Sequence, residues 1–255
     1  MHLIKKAFLS VMMISSCTVL QAESVVRIAT EGAYPPYNYV NSDGSLGGFD
    51  VDIATALCEV MQTPCEIVKQ DWDGIIPGLL AKKYDAIVAS MAITPKRQEK
   101  VAFSDKYEGG YSKLYGHQSL TDSRPQALKG KVIAVQTGSI QEDFAKHYYE
   151  AAGITLHRYP DTQTAMMDLT AERVDAVLLE VGLIYEAKKD PNLDSFHGFG
   201  DNFNDPKYFG TGSGIAVRKQ DQQLLSQINR ALKTILENGT YKTINDKYFP
   251  YDQYE

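Results

Sequence analysis

The chain has 255 residues, and its 26 Lys and Arg against 32 Asp and Glu give a formal charge of −6. This excess of acid argues against nucleic-acid binding, because proteins that contact phosphate backbones usually present a basic face. A chain of this length folds as one large domain or as two domains of ordinary size.

The first 22 residues have the three parts of an export signal. Lys5 and Lys6 precede an apolar run over residues 7–14, and small or polar residues follow as far as Ala22. The run is too short to span a membrane, which takes about 20 apolar residues, and no later stretch is long enough. We expect residues 1–22 to be a signal peptide cleaved after Ala22, which leaves a soluble periplasmic protein with a formal charge of −8.

A second interpretation of this segment stays open. The sequence ISSC at residues 14–17 resembles a lipoprotein cleavage box, in which Cys17 would become the lipidated first residue. Few residues separate Cys17 from the first predicted strand, which is a short tether for a lipid anchor. Cleavage after Ala22 is therefore preferred, and lipid attachment at Cys17 is the alternative.

Two cysteines remain when Cys17 is set aside. Cys58 and Cys65 are close in sequence, and such a pair in an oxidising compartment indicates a disulfide. The competing interpretation, a redox or zinc pair, has the wrong spacing and lacks a second pair. We predict a structural disulfide that contributes on the order of 2–3 kcal/mol in the chain-entropy model.

Apolar runs alternate with helical patterns along the first part of the mature chain. This β-α-β-α-β order predicts an α/β fold with a mostly parallel sheet covered by helices. The strands are predicted over residues 25–29, 66–68 and 85–89, and the helices over residues 50–61 and 73–81.

The same order then begins again, which predicts a second α/β unit. Glycines at positions 109 and 110 and in the segment 210–214 fall near the junctions between the units, where they can absorb the backbone rotation of a hinge. Further strands are predicted over residues 131–135, 154–159, 174–179 and 215–218, and further helices over residues 140–152, 161–172, 220–237 and 241–247.

Two segments carry the side chains expected of a small-molecule site. The first, EGAYPPY at residues 31–37, offers a carboxylate and aromatic rings on a stiff loop. The second, ASMAITPKR at residues 89–97, offers a hydroxyl, backbone N–H groups and a guanidinium. Arg97 suits a carboxylate because its planar fork makes two parallel hydrogen bonds, and Glu31 suits a distal cation. Together they predict capture of a basic amino acid.

Six short stretches, spread over nearly the whole mature chain, carry a resemblance to a known family: TEGAYPP (30–36), GGFDVDIA (47–54), DWDGIIP (71–77), YDAIVASM (84–91), ITPKR (93–97) and DKYFP (246–250). In them the chain resembles the periplasmic solute-binding proteins of amino-acid ABC transporters, family 3. The resemblance is to the lysine/arginine/ornithine and histidine group, and closest to its arginine/ornithine-binding members. It implies a type II fold of two α/β lobes, each a mostly parallel sheet flanked by helices, with the ligand in the cleft between them. Lobe 1 would comprise residues 23–110 and 211–255, and lobe 2 residues 111–210.

The resemblance also implies roles for individual residues. Arg97 matches the arginine that grips the ligand α-carboxylate, assisted by Ser90 and the backbone of Ala92. Glu180 matches a lobe-2 acid that holds the α-ammonium, and Glu31 an acid that faces the distal cation. Tyr34 and Trp72 match the side chains that sandwich the aliphatic stem of the ligand. Ser139 and Ile140 match backbone or hydroxyl contacts at the start of a lobe-2 helix. The remaining expected ligand contacts are Ala89, Met91 and Gln136.

The function implied by the resemblance is capture of a basic L-amino acid by lobe closure and delivery to the membrane permease of an ABC importer. We expect a monomer with no cofactor and no nucleic-acid partner. An opine-binding member of the family and a cyclohexadienyl-dehydratase-like enzyme on the same fold are alternatives; in the enzyme, Glu31 or Glu180 would be a general acid. The sequence lacks the metalloprotease, nucleophile-elbow, phosphate-loop and dinucleotide motifs, so no enzyme is expected.

Overall fold

The computed structural model describes residues 25–254, so the predictions on the signal peptide and on Cys17 lie outside it. The elements in chain order are β1 (Val26–Thr30), β2 (Ala33–Tyr34), β3 (Asn38–Val40), β4 (Leu46–Gly47), α1 (Phe49–Met61), β5 (Cys65–Lys69), α2 (Trp72–Leu80), β6 (Ala86–Ile87), α3 (Pro95–Gln98), β7 (Ala102–Glu108), β8 (Ser112–His117), β9 (Val132–Gln136), α4 (Ile140–Tyr148), β10 (Thr155–Tyr159), α5 (Thr162–Thr170), β11 (Ala176–Glu180), α6 (Val181–Ala187), β12 (Phe196–Phe203), α7 (Pro206–Phe209), β13 (Ser213–Val217), α8 (Gln222–Glu237) and α9 (Thr240–Tyr248).

The predicted α/β units form two five-stranded sheets. One has the strand order β5-β1-β6-β13-β7 and the other β10-β9-β11-β8-β12. In each sheet the three strands predicted in β-α-β order pair in parallel. The remaining two strands of each sheet pair antiparallel, so both sheets are mixed instead of mostly parallel. The α/β fold with two sheet-bearing lobes is confirmed, and we call the lobe with β1 lobe 1 and the lobe with β9 lobe 2.

Two connections carry the chain between the lobes. The first joins β7 of the lobe-1 sheet to β8 of the lobe-2 sheet through residues 109–111, and the second joins β12 to β13 through residues 204–212. The predicted glycines lie in these connections except Gly214, which is in β13, and Gly110, Gly210 and Gly212 have positive φ. The exact lobe limits at residues 110/111 and 210/211 stay a prediction.

Helix α1 covers the lobe-1 sheet with an apolar face. Phe49, Ile53 and Leu57 are buried along that face, spaced so that they lie on one side of a helix. The helix begins after Gly48, which has φ of +117° and lies so close to Tyr37 that a Cβ would be 2.3 Å from the Tyr37 carbonyl oxygen. Only glycine fits this entry to the helix.

The disulfide between Cys58 and Cys65 is present, as predicted, with a Cα–Cα distance of 6.1 Å. It joins α1 to the first residue of β5 and so fixes the helix to the edge strand of the lobe-1 sheet. The C-terminal helices complete this lobe, because α8 packs against both α1 and β7. None of the helices within residues 25–254 is long and apolar enough to cross a membrane.

Candidate functional site

A cavity of about 80 Å³ lies between the lobes. Its walls come from the carboxyl ends of parallel strands, where ligands bind in open α/β sheets. Glu31 directly follows β1, Gln136 ends β9, and Glu180 ends β11. Of the residues predicted from sequence, those that line the cavity are Glu31, Tyr34, Trp72, Ala89, Ser90, Ala92, Arg97, Gln136, Ser139, Ile140 and Glu180.

Met91 is the predicted site residue that the structure does not place in the cavity wall. Its side chain is fully buried in the lobe-1 core with Ile75 and Leu79. Its carbonyl oxygen accepts a hydrogen bond from the amide of Gly214, 3.1 Å away. Met91 is therefore a core residue, whereas its neighbours Ser90 and Ala92 line the cavity.

Glu31 is bonded across the cleft to lobe 2. Its Oε1 accepts a hydrogen bond of 2.5 Å from Nε2 of Gln136, and the residue is only 4 % exposed. Burial raises the pKa of Glu31 to about 7, although the Gln136 amide favours the charged form. A cation beside Glu31 would restore the ionised state, so this corner of the cavity favours a positive group.

Glu180, a residue of lobe 2, accepts hydrogen bonds from side chains of lobe 1. Its Oε2 accepts a hydrogen bond of 3.1 Å from the Tyr34 hydroxyl, and its Oε1 accepts one of 3.0 Å from the Tyr37 hydroxyl. Burial raises the pKa of Glu180, and its hydrogen bonds, including those from the two tyrosines, oppose that shift. The carboxylate is therefore held at a fixed place in the wall by side chains of the other lobe.

Arg97 supplies positive charge to the same cavity. Thr94 caps the short helix α3, its Oγ1 accepting from the Arg97 amide at 3.3 Å, and this fixes the backbone from which the side chain leaves. One guanidinium nitrogen donates to the Ala92 carbonyl oxygen at 3.0 Å, and the group lies 5.1 Å from the ring centre of Trp72. Burial lowers the pKa of Arg97 to about 10. Among the described residues no carboxylate forms an ion pair with it, so a ligand carboxylate would be its partner.

The two predicted serines use their hydroxyls within the protein. Ser90 donates its hydroxyl to Asp50 Oδ2 at 3.1 Å and its amide to the Tyr107 hydroxyl at 2.9 Å. Its φ of +44° is unusual for a residue other than glycine and marks local strain. Ser139 caps α4 by accepting from the Glu142 amide at 3.0 Å. Ser139 also donates its hydroxyl to the Gln136 carbonyl oxygen at 2.7 Å. Both hydroxyl protons are therefore used within the protein, and the ligand contacts expected of Ser90 and Ser139 stay predictions.

The N-terminus of α4 faces the cavity and offers another kind of contact. The first amides of a helix have no partner within the helix and carry a partial positive charge. Ile140 and Gln141, the first two residues of α4, both line the cavity. An anionic group of a ligand can therefore meet backbone N–H groups here, as the predicted contact at Ile140 requires.

Sequence reasoning missed several residues of the wall. Gly109, Gly110, Gly210 and Gly212 were noted only as hinge candidates. Of the remaining ones, Gln141 lies in a predicted helix but was not singled out, and the others lie in connections or near strand ends that gave no signal for a ligand contact. These remaining residues are Tyr111, Ser112, Gln141, Asn204, Phe209 and Ser213. Within residues 25–254 no group of three His, Cys, Asp or Glu side chains is arranged to hold a metal ion.

The chain is similar in sequence and in structure to known binding proteins. The chain is 41% identical to the L-arginine-binding protein of Pseudomonas aeruginosa, over 94% of this chain and 93% of that protein. It is 38% identical to the lysine/arginine/ornithine-binding periplasmic protein of Escherichia coli, over 90% of this chain and 89% of that protein. A solved periplasmic binding protein of Salmonella typhimurium with high arginine specificity superposes with a TM-score of 0.81 at 32% identity, over 88% of this chain and 99% of that one.

These relatives are named as binding proteins, not as enzymes. The family model for bacterial extracellular solute-binding proteins, family 3, matches residues 26–251, which is nearly the whole of the described chain. The protein therefore belongs to the family 3 bacterial extracellular solute-binding proteins.

Proposed function

We propose that this protein captures a basic L-amino acid, such as arginine, ornithine, lysine or histidine, in the interlobe cavity. The observation that carries the proposal is the charge pattern of the wall, two acids and one arginine. Such a wall matches a ligand with two positive groups and one negative group. The relatives that bind arginine, lysine and ornithine support the same ligand class.

Each charged group has a place for one part of the ligand. Arg97 would bind the α-carboxylate, together with the N-terminal amides of α4. Glu180 would bind the α-ammonium with its position held by Tyr34 and Tyr37. Glu31 would bind the distal guanidinium or ammonium, which would lower the raised pKa of this acid.

The aromatic residues would hold the apolar stem between these charges. Trp72 begins α2 and lies against both Arg97 and the turn between β9 and α4, where a Cβ at Gly138 would be 3.7 Å from the indole. Tyr34 lies across the cavity from lobe 2 and stacks on Tyr37 with 5.6 Å between ring centres. A long alkyl chain between Tyr34 and Trp72 removes apolar surface from water.

Ligand capture would be coupled to lobe closure. Arg97 and Glu31 belong to lobe 1, and Glu180 belongs to lobe 2, so one zwitterion bridges the lobes. A ligand shifts an open–closed equilibrium only through its different affinity for the two states. Direct bonds join the lobes in this structure: Thr162 donates to the Ala33 carbonyl oxygen at 3.1 Å, and Lys96 pairs with Asp143 at 2.7 Å.

The periplasmic location, delivery to the permease of an ABC importer and a monomeric state belong to this proposal as well. They are supported by the family and by relatives that are named as periplasmic binding proteins. The N-terminal mass of the exported protein tests the location: a chain that begins at Glu23 supports cleavage, whereas a lipid-bearing Cys17 supports an anchor.

Thermal melting against a panel of ligands tests the proposed specificity. A ligand that binds only the folded state adds about 2.7 kcal/mol of stability at a hundred times its dissociation constant. Arginine, ornithine, lysine and histidine should raise the melting temperature, and glutamate should not. An opine that stabilises more strongly than any basic amino acid would favour the opine-binding alternative instead.

A further inference from the structure

Glu108 is a buried carboxyl group that the proposed ligand contacts do not use. It is the last residue of β7, directly before the crossover to lobe 2, and it is 0 % exposed. Its Oε1 is 3.5 Å from Nε2 of Gln253, which is a long contact, and its Oε2 has no hydrogen-bond partner among the described donors. An ionised carboxylate left in this state would be costly, because buried charge needs partners.

The group that Glu108 faces is Glu180. Gln253 links the two side chains: its Nε2 is 3.5 Å from Glu108 Oε1 and donates at 2.8 Å to the Tyr37 hydroxyl, which donates to Glu180 Oε1 at 3.0 Å. Glu108 and Glu180 belong to different lobes but share this buried polar cluster, in which their carboxyl groups interact. Gly110 lets them approach, since a Cβ at this position would be 3.3 Å from Glu180 Oε1. Two buried carboxylates in contact repel each other when both are ionised, whereas one proton between them forms a hydrogen bond.

The surrounding hydrogen bonds show which of the two acids keeps the proton. Glu180 accepts from the hydroxyls of Tyr34 and Tyr37, which stabilise its charge. Glu108 has no hydroxyl hydrogen bond of this kind: it receives the long contact from Gln253 and a weaker stabilisation from Ser90. Burial and the neighbouring charge of Glu180 raise the pKa of Glu108 well above its usual range. Glu108 is therefore the acid that stays neutral, and Glu180 is the one that carries the charge.

The other titratable groups around Glu108 do not supply a cation. Within residues 25–254, no Lys, Arg or His side chain forms an ion pair or a hydrogen bond with Glu108 or Glu180. The groups that face Glu108 are acids and phenols from the elements packed around it: Tyr34 and Tyr37 near β2, Asp50 of α1, Tyr107 of β7, Glu180 of β11, Tyr241 of α9 and Tyr251 of the C-terminal segment.

We propose that Glu108 is a positioning residue for the ammonium subsite: its carboxyl group keeps one proton and donates that proton to Glu180, which holds the Glu180 carboxylate ionised and in place for the ligand α-ammonium. The proposal deepens the proposed function and rests on it. The shared proton also makes the affinity for the ligand depend on pH. An ammonium beside the pair favours loss of the shared proton, so affinity gains from the pair as the pH rises.

A matched pair of variants separates positioning from packing. Glu108→Gln has the same length and keeps a permanent N–H donor to Glu180. Glu108→Met has a similar length and removes the donor. We expect Glu108→Gln to bind arginine within about threefold of wild type at pH 7, and Glu108→Met to lose about tenfold or more, the usual value of a hydrogen bond to a charged group. Equal affinities in the two variants would overturn the positioning role.

The pH profile supplies a readout that a packing role would not change. We divide the dissociation constant of Glu108→Gln by that of wild type at each pH. The effects of titrating the ligand and Glu31 are the same in both proteins, so they drop out of this ratio. This ratio should rise as the pH is raised above 7, because only the wild-type pair can release a proton to strengthen the contact with the ammonium. A ratio that stays constant over the whole range would refute the shared proton.

An infrared difference spectrum tests the proton without any ligand. Wild type minus Glu108→Gln, both ligand-free at pH 7, should show the carbonyl stretch of a protonated carboxylic acid. Absence of the band would refute the inference and leave the proposed function intact. If the wild type binds no basic amino acid, the proposed function fails and the positioning role fails with it, while the band still reports whether Glu108 holds the proton.

Discussion

Replacing Glu31 with glutamine should make the empty protein more stable and the arginine complex weaker. Glu31 is almost completely buried, and its pKa in the folded state is raised from 4.5 to about 7. The folded state thus holds the proton more tightly than the unfolded chain does. Stability is therefore lost as the pH rises from about 4.5 to about 7, and the loss is complete above that range.

The magnitude follows from the size of the shift. One pKa unit corresponds to about 1.4 kcal/mol, so ionisation of Glu31 costs up to about 3 kcal/mol of unfolding free energy at pH 8.5. Glu31→Gln removes this cost and keeps an oxygen for the hydrogen bond from Gln136. Its melting temperature should exceed that of wild type at pH 8.5 and equal it at pH 4. The exposed residue Glu66 provides the matched control, since Glu66→Gln should change stability at neither pH.

Ligand binding should change in the opposite direction. Loss of a buried charged partner costs on the order of 2–5 kcal/mol, or about 30-fold to several-thousand-fold in affinity. Calorimetric titration at pH 8.5 should show this loss for arginine in Glu31→Gln and almost none for citrulline, which lacks the distal charge. Equal losses for the two ligands would show that Glu31 does not contact the cation. An unchanged melting temperature at pH 8.5 would show that its burial is not destabilising.

Three further results are expected. Arg97→Ala should weaken arginine and citrulline by similar factors, because both ligands carry the α-carboxylate; calorimetry that finds only arginine weakened would assign Arg97 another role. Gly182→Ala places a Cβ 2.2 Å from the Tyr37 hydroxyl of the other lobe, so solution scattering should show less compaction with arginine than in wild type, and equal compaction would contradict the interlobe contact. Peptide mapping of freshly isolated periplasmic protein should find Cys58 and Cys65 bonded, and two free thiols would exclude the disulfide.

Local patterns in the sequence predicted the helices and strands in which buried apolar residues recur at a regular spacing. The helix over residues 50–61 was predicted from its apolar face, and the structure has it at Phe49–Met61. The elements that were missed are the short helices α3, α6 and α7, the short sheet β2-β3-β4, and strands such as β7, β8 and β12. These strands carry charged or polar residues and glycines, and tertiary pairing with distant strands stabilises them, so their own periodicity is weak.

The sequence by itself determined the charged groups of the candidate site and the strand ends that bring them to one cleft. Glu31 directly follows a buried strand of lobe 1 and Glu180 ends a buried strand of lobe 2, and open α/β sheets bind ligands at the carboxyl ends of their strands. Only the tertiary structure decided which polar atoms remain free for a ligand. The Ser90 hydroxyl donates to Asp50, 40 residues earlier in the chain, and Glu108 meets Glu180 across two lobes. Such contacts depend on side-chain directions at distances that no local pattern encodes, which is why neither the Ser90–Asp50 bond nor the Glu108 pair was anticipated.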